Sequence, residues 1–432
     1  MNKSATISAM IPILLLYLLT LACRLLLRTL NLRHLARHGE IVPPGFEKAI
    51  DGQLLSRSCA YTGALSRLGL WQMLGGNLVL LAFLFGGGLV LYDRWIGDFV
   101  PSFVGGGVVF FLGLQLSATV FTLPFSFYRT FVIEERYGFN ATTPRLWLAD
   151  LLKSSLISAV ILSLMTAAAL ALVAGSPQLW WLAVWVLFTL TSLFLILFSP
   201  VLIEPLFFKF EPVGREPLRT KIEGLTGRAG LRVSRVLQVD ASRRSRHSNA
   251  YFTGIGRVKR IVLYDTLLEE MNDDEILAIL AHEAGHWTLG HIRNRLLWSG
   301  LLSLAVCYGS FLLLGWKGLP GLLGLEQASF FARVVILAFV ARLGAFFLTP
   351  AQSYLSRRHE RQADDYAAAL SGKPEALASA LVKLSRNNLA NLHPHPLYSA
   401  FYDSHPPVVQ RVAQLDAAAR GHRAPRKTKG RK

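Results

Sequence analysis

The sequence has few cysteines and few acidic residues for its length. Its 432 residues include three cysteines, Cys23, Cys59 and Cys307, which are too few and too scattered for a disulfide framework or a cysteine-ligated zinc site. Only 17% of the residues are charged, whereas soluble globular proteins carry about 25%. The 27 acidic residues face 45 Lys and Arg, so the formal net charge is +18. These shortages exclude a disulfide-rich scaffold and argue against a soluble protein.

Apolar residues make up 52% of the chain and are concentrated in long runs. A run of about 20 apolar residues can cross the hydrocarbon core of a bilayer as a helix. The runs predict transmembrane helices over 5–27, 69–92, 103–125, 152–175, 178–200, 296–316 and 329–350. The first run has no small-residue cleavage site, so we expect a retained signal anchor. Arg333 and Arg342 interrupt the last run, which indicates either the wall of a wet cavity or a snorkelling Arg333 and a helix-packing Arg342.

The distribution of cations predicts how the helices are oriented. Loops 24–67 and 126–150 hold ten Lys and Arg, whereas the opposite side holds Lys3, Arg94 and Lys317. Cytoplasmic loops carry the excess of positive charge, so the N-terminus is expected outside and the polar segments 201–295 and 351–432 in the cytoplasm. We expect the basic residues 417–432 to form a disordered tail near anionic lipid. No aromatic interleaving or recognised fold accompanies this charge, so no nucleic-acid partner is predicted.

The polar segment 201–295 has the pattern of a small α+β unit. Runs at 233–239 and 260–264 predict strands, and an extended piece at 248–253 leads into Gly254-Ile255-Gly256, which predicts a hairpin. From Asn272 onward the pattern is helical, with acidic residues in the first turn.

The helix predicted after Asn272 carries the motif His282-Glu283-Ala284-Gly285-His286. Residues four apart lie on one face of a helix, so both imidazoles can reach one Zn²⁺ at about 2.0–2.1 Å. Glu283 lies beside the first histidine, where it can act as the general base toward the attacking water. The motif therefore predicts a hydrolytic zinc site.

Spacing alone leaves more than one candidate for the third metal ligand. One zincin class requires a histidine at the sixth position after the motif, but Ile292 occupies it and His291 comes one residue early. We therefore interpret His291 as a helix-end or substrate-side residue. Glu360 and Asp364 lie four apart on a second predicted helix, so one can bind the metal while the other orients a ligand imidazole. His359 is chemically possible but points away from that face.

These residues resemble the type I CAAX prenyl endopeptidases, the multi-span membrane zinc proteases that process prenylated proteins. The resemblance covers most of the chain and rests on segments 131–144, 204–210, 246–252, 259–267, 282–291, 356–364 and 398–407. It implies that one zinc ion is held by His282, His286 and Glu360, with Glu283 as base and Asp364 behind a ligand. Eukaryotic members insert a long charged segment where Glu270 here leads almost directly to Asn272, so the compact form favours a bacterial protein.

The resemblance also implies contacts to a substrate. His405 would stabilise the oxyanion, and Asn249 with Ala250 would lie on an edge strand that pairs with an extended peptide. Both roles agree with general chemistry, because an imidazole can stabilise developing charge and an unpaired strand edge offers main-chain hydrogen bonds.

The fold expected from these patterns is mainly α, a polytopic membrane protein with about seven transmembrane helices and a small α+β zincin domain. It divides into a five-helix membrane domain, a first catalytic part, two further membrane helices, a second catalytic part and a basic tail, over 1–200, 201–295, 296–350, 351–416 and 417–432. The predicted function is a zinc endopeptidase acting on prenylated or membrane-embedded substrates in the bacterial inner membrane, or in the ER membrane if the source is eukaryotic. A membrane-protein quality-control protease is one alternative, and a non-catalytic transporter or scaffold is another.

Overall fold

Helices dominate the computed structural model, which describes residues 3–254 and 258–423. The helices are α1 Lys3–His38, α2 Gly52–Phe85, α3 Gly88–Phe99, α4 Phe103–Tyr128, α5 Pro144–Gly175, α6 Trp180–Leu202, α7 Glu216–Arg228, α8 Asp265–Glu270, α9 Asp273–Thr288, α10 His291–Gly315, α11 Phe330–Ser371, α12 Pro374–Asn387, α13 Pro396–Tyr402 and α14 Val408–Arg423. The strands are β1 Phe210–Pro212, β2 Arg232–Val239, β3 Ala250–Thr253 and β4 Val258–Tyr264.

Within the described residues, seven helices are long and apolar enough to cross a membrane, namely α1, α2, α4, α5, α6, α10 and α11. The predicted number of spans is therefore confirmed. The predicted second span, 69–92, is wrong in its bounds, because α2 ends at Phe85 and α3 begins at Gly88. Gly87 has φ 87°, a conformation that glycine adopts without strain, and this break in the helix is invisible to hydropathy. The predicted loop 24–67 is largely helical, because α1 continues through polar residues to His38 and α2 already begins at Gly52. Hydropathy does not detect these polar helix ends.

The seventh membrane helix, α11, continues unbroken for 42 residues and carries Glu360 and Asp364. The sequence placed a boundary between membrane and catalytic parts at residue 350, but no helix end occurs there, and Pro350 lies inside the helix. The third candidate ligand is thus mounted on an extension of a membrane helix.

The strands form one four-stranded sheet in the order β1-β2-β4-β3. β2 and β4 are parallel, whereas β1 pairs with β2 and β3 pairs with β4 in the antiparallel sense. Both predicted strands are confirmed within two residues, and β3 with β4 forms the predicted antiparallel pair. The predicted turn includes residues 255 and 256, which lie outside the described residues. β3 comes last in the strand order, so it lies at an edge of the sheet.

The core of the catalytic part is built from segments far apart in sequence. Ile276 of α9, Leu377 of α12 and Val412 of α14 are buried in one cluster. The connection between α1 and α2 contributes Phe46 and Ile50, both almost fully buried. The sequence predicted this connection as a loop between two membrane helices, but the structure makes it part of the core of the catalytic part.

The predicted disordered tail is wrong for residues 417–423, because α14 extends to Arg423. Val412, Leu415 and Ala419 are buried at helical spacing, so the amphipathic face continues past residue 416. The abundance of basic residues hid this pattern. Residues 424–432 lie outside the described part of the chain.

Candidate active site

The start of α9 is fixed by a capping box. The Asn272 side chain accepts a hydrogen bond from the Glu275 amide at 3.0 Å, and the Glu275 carboxylate accepts one from the Asn272 amide at 2.9 Å. The buried Glu275 also accepts bonds from Ser379 and Lys383 of α12, each at 2.7 Å. These contacts hold the helix that carries the histidine motif against the domain core.

His282, His286 and Glu360 converge on one point. The two Nε2 atoms lie 3.3 Å apart, and the Glu360 carboxylate lies 3.4 Å from Nε2 of His282 and 3.3 Å from Nε2 of His286. The donor atoms around a tetrahedral zinc ion, each about 2.0–2.1 Å from the metal, are separated by about 3.3–3.4 Å. Among the described residues, these three side chains form the group able to hold a metal ion.

Gly285 allows α11 to approach α9 closely. A Cβ atom at this position would lie 3.2 Å from the Cα of Ala363 and 3.2 Å from the Tyr366 ring. The close approach of the backbones brings Glu360 within reach of both histidines. The glycine inside the motif therefore has a packing role that the sequence did not reveal.

A cation fits the Glu360 carboxylate. Its Oε2 is buried and forms no hydrogen bond with a described residue, although Nδ1 of His405, Nε2 of His282 and Nη1 of Arg411 lie 2.7, 3.4 and 3.8 Å away. A buried carboxylate oxygen without a hydrogen bond is costly unless a cation compensates it. The donor set of two imidazoles and one carboxylate is the His₂Glu set that binds catalytic zinc.

Asp364 and Arg411 orient His282 from behind. Nδ1 of His282 lies 2.8 Å from Asp364, and Arg411 donates two hydrogen bonds to the same carboxylate, at 2.8 and 2.6 Å. Burial opposes protonation of His282, but its contacts with the carboxylates of Asp364 and Glu360 outweigh it and raise its pKa to about 9. Nδ1–H donates to Asp364, so Nε2 faces Glu360 and His286 and offers its lone pair there once its own proton is lost.

His286 is oriented by a different chain of contacts. Its Nδ1 lies 3.1 Å from Nδ1 of His291, and Nε2 of His291 lies 3.0 Å from Oε1 of Gln362. The expectation that His291 is a helix-end or substrate-side residue is incomplete, because it directly contacts a metal-ligand candidate. His359 stacks on His291 with ring centroids 4.2 Å apart and lies outside the metal-ligand group.

Glu283 lies half-buried at the same centre. Burial raises the pKa of its carboxyl, and the neighbouring imidazoles of His282 and His286 lower it only in part. A carboxylate with a raised pKa is a better proton acceptor near neutral pH.

Comparisons with known proteins identify the family. Residues 31–209 match the family model described as CAAX prenyl protease N-terminal, five membrane helices, and residues 214–419 match that of Peptidase family M48. The chain is 37% identical to the CAAX prenyl protease 1 homolog of Arabidopsis thaliana over 319 residues, which cover 71% of this chain and 72% of that protein. This chain belongs to peptidase family M48. It is a multi-pass membrane metalloendopeptidase.

One further relative and one solved structure match a larger share of this M48 peptidase. The CAAX prenyl protease 1 homolog of Homo sapiens is 31% identical over 423 residues, which cover 87% of this chain and 88% of that protein. The crystal structure of S. mikatae Ste24p matches with a TM-score of 0.82 at 30% identity, and the match covers 94% of this chain and 98% of that chain. The fold of this M48 peptidase is therefore that of Ste24p.

The predicted substrate residues of the M48 peptidase lie beside the histidine motif. β3, which begins at Ala250, packs against α9. The Asn249 carbonyl accepts a hydrogen bond from the Tyr264 amide at 3.0 Å, and its side-chain oxygen accepts one from the Ala250 amide at 2.8 Å. His405 is 61% exposed at its side chain, although it touches Glu360. The contacts of these residues with a substrate stay predictions.

Sequence reasoning missed Arg411 and Gln362 in this M48 peptidase. Arg411 lies 129 positions from His282, and only the folded chain brings the two together. Gln362 belongs to the same helical segment as Glu360, but its partner His291 was interpreted as a helix-end or substrate-side residue, so no contact between the two was expected. The signal available in the sequence was Arg411 itself, an arginine in the amphipathic segment after Pro407. If such an arginine is buried, it is expected to pair with a carboxylate.

Proposed function

We propose that this M48 peptidase uses Zn²⁺ to hydrolyse peptide bonds in membrane-associated proteins, prenylated CAAX-type proteins among them. The observation that carries the choice of metal is the set of separations of 3.3, 3.3 and 3.4 Å among His282, His286 and Glu360, which fits tetrahedral zinc. The printed names of the relatives, CAAX prenyl protease 1, support the substrate class.

The residues around this centre divide the reaction among them. Zinc held by His282, His286 and Glu360 would supply a Lewis acid that polarises the scissile carbonyl and acidifies the attacking water. Glu283 takes a proton from that water and delivers it to the leaving amine. His405 donates a hydrogen bond to the carbonyl oxygen as negative charge develops there.

Other groups orient the metal ligands and the substrate. Asp364 accepts the Nδ1 proton of His282 and keeps its imidazole in a fixed orientation. The free edge of β3, which begins at Ala250 and follows Asn249, offers main-chain groups to an extended peptide.

The proposed setting is a bacterial inner membrane with the N-terminus outside and the catalytic part in the cytoplasm. The support is the excess of Lys and Arg in loops 24–67 and 126–150 and the short connection between Glu270 and Asn272. A cytoplasmic site would meet the C-terminal ends of proteins anchored in the inner leaflet.

The proposal is tested with the purified full chain and two peptides that share a CAAX terminus and differ only in a prenyl group on the cysteine. We expect a single cut near that cysteine, and one zinc per chain by elemental analysis. Glu283→Gln should keep its zinc and lose activity by about 10²–10⁴-fold, since only the proton acceptor is removed. Unchanged cleavage by this variant would contradict the enzymatic role.

Two further results would redirect the proposal. Many cuts along an unfolded membrane protein, with no preference for the prenylated peptide, would favour a quality-control protease. Glu360→Ala should remove the zinc, whereas His359→Ala should retain it. The reverse pattern would show that the third ligand is assigned to the wrong residue.

A further inference from the structure

A large cavity lies among the membrane helices, next to the catalytic part. Its volume is about 970 Å³, and its walls come from α1, α2, α3, α4, α11 and α13. Tyr398 and Tyr402, which belong to α13, place one end of the cavity against the catalytic part, because His405 follows three residues later. The lining also includes apolar residues, among them Leu80, Phe83 and Leu114.

Three arginines line this cavity, and no acidic residue of the described chain does so. They are Arg24 and Arg28, four residues apart on α1, and Arg342 on α11. Arg24 and Arg342 also line a smaller cavity with Tyr17 and Asn77, so the two helices present them side by side. In the described part of the chain, no carboxylate forms an ion pair with any of the three guanidinium groups.

Two other arginines differ from these three in having hydrogen-bond partners among the described residues. Arg411 binds Asp364 through two hydrogen bonds, and Arg333, also on α11, donates to the Trp316 carbonyl at 2.7 Å. Arginine inside a membrane is costly unless a counter-charge or polar partner meets it. Arg24 and Arg28 are half-buried, Arg342 is exposed, and Arg24 lies over the Phe346 ring at 5.1 Å from its centroid. A bound anion would supply the counter-charge that no carboxylate of the described residues provides.

We propose that this cavity binds one acidic phospholipid, whose phosphate contacts Arg24, Arg28 and Arg342 and whose acyl chain lies along the apolar wall. Guanidinium groups bind phosphate oxygens through two parallel hydrogen bonds. Basic pockets between transmembrane helices are known to bind phosphate headgroups of acidic lipids. The hydroxyls of Tyr398 and Tyr402 hydrogen-bond no described residue and are available to the same headgroup.

The distance to the metal ligands argues against the carboxylate of a short substrate terminus as this anion. Arg342 precedes Glu360 by 18 positions in α11, which is about 27 Å along a helix at 1.5 Å per residue. Three extended residues beyond a cleaved bond span at most about 11 Å. A terminus of CAAX length therefore cannot reach Arg342 while its scissile bond lies at Glu360.

The test uses the delipidated full chain in neutral detergent and two probes, dioleoylphosphatidylglycerol and dioleoylphosphatidylcholine, which have the same acyl chains. Native mass spectrometry should show one retained phosphatidylglycerol and weaker retention of phosphatidylcholine. Arg24→Gln with Arg342→Gln should weaken phosphatidylglycerol binding by at least about tenfold. The matched control is Arg33→Gln with Arg37→Gln, which removes the same charge from exposed positions of α1 outside the cavity and should bind as the unmodified chain does.

A second measurement needs no variant and remains informative if the cavity variant fails to fold. Phosphatidylglycerol with a photoactivatable acyl chain should crosslink to peptides containing Leu80, Phe83 or Leu114. Labels confined to the outer faces of the helices would overturn the proposal, and so would equal retention of both lipids. Loss, in the cavity variant, of discrimination between a peptide carboxylate and its amide, with lipid binding unchanged, would assign the arginines to the substrate instead.

Discussion

His286 and His291 contact each other through their Nδ1 atoms, which lie 3.1 Å apart. Only one of two facing ring nitrogens can carry the proton of such a contact. Because Nε2 of His291 faces the Gln362 oxygen at 3.0 Å, it must carry the His291 proton, and the bare Nδ1 of His291 then accepts from His286. His286 is thereby held in the tautomer that leaves Nε2 free for a metal ion.

Removal of His291 is expected to weaken metal binding. His291→Ala leaves Nδ1 of His286 without its acceptor, so zinc affinity should fall by about 10–100-fold, as found for outer-shell partners of metal ligands. A competition titration with a chromogenic chelator measures the change. His359→Phe keeps the stacked ring without a ring nitrogen and should bind zinc normally. If both variants lose zinc equally, the effect comes from packing and the orienting contact is unimportant.

Motif spacing predicted that His282 and His286 share one face of a helix, but it could not predict how their rings are oriented. The i, i+4 pair His282 and His286 follows from helix geometry and was found without the structure. His291 follows Gly290, whose left-handed φ of 74° ends one helix and begins the next, so the ring is turned back toward His286. That reversal depends on a single backbone conformation. Hydropathy likewise predicted seven spans but could not locate the break at Gly87.

Loss of Arg411 is expected to destabilise the catalytic part. Arg411 is 8% exposed, and its removal would take two hydrogen bonds from the buried Asp364 and leave His282 as its remaining partner at this site. Arg411→Ala should lower the free energy of unfolding by about 3–5 kcal/mol, the usual cost of breaking a buried ion pair. Thermal unfolding in detergent, followed by circular dichroism, measures this loss. Arg420→Ala, an exposed arginine on the same helix, should change the stability little; an equal loss in both variants would contradict the role of the buried pair.

Zinc binding should depend on pH through His282. Without metal, the pKa of His282 is raised to about 9, so at neutral pH zinc must displace a proton from this imidazole. The apparent affinity should therefore rise about tenfold per pH unit up to pH 9 and level off above it. Calorimetry in two buffers with different ionisation enthalpies should detect about one proton released per zinc at pH 7.5. A proton count of zero would show that His282 is neutral before the metal binds.

A methyl group at Gly285 should move Glu360 away from the two histidines. The added Cβ would lie 3.2 Å from the backbone Cα of Ala363, so α9 and α11 must separate by a few tenths of an ångström. Alanine favours a helix over glycine by about 1 kcal/mol, so the variant should keep its fold while the ligand set loosens. We expect Gly285→Ala to weaken zinc binding by about tenfold, a typical cost of disturbing ligand support. The matched control is Gly224→Ala in α7, where no atom lies within 4 Å of the added Cβ. If the two variants bind zinc equally well, α9 and α11 can accommodate the added methyl group without moving the ligands. Gly285 would then not determine the position of Glu360.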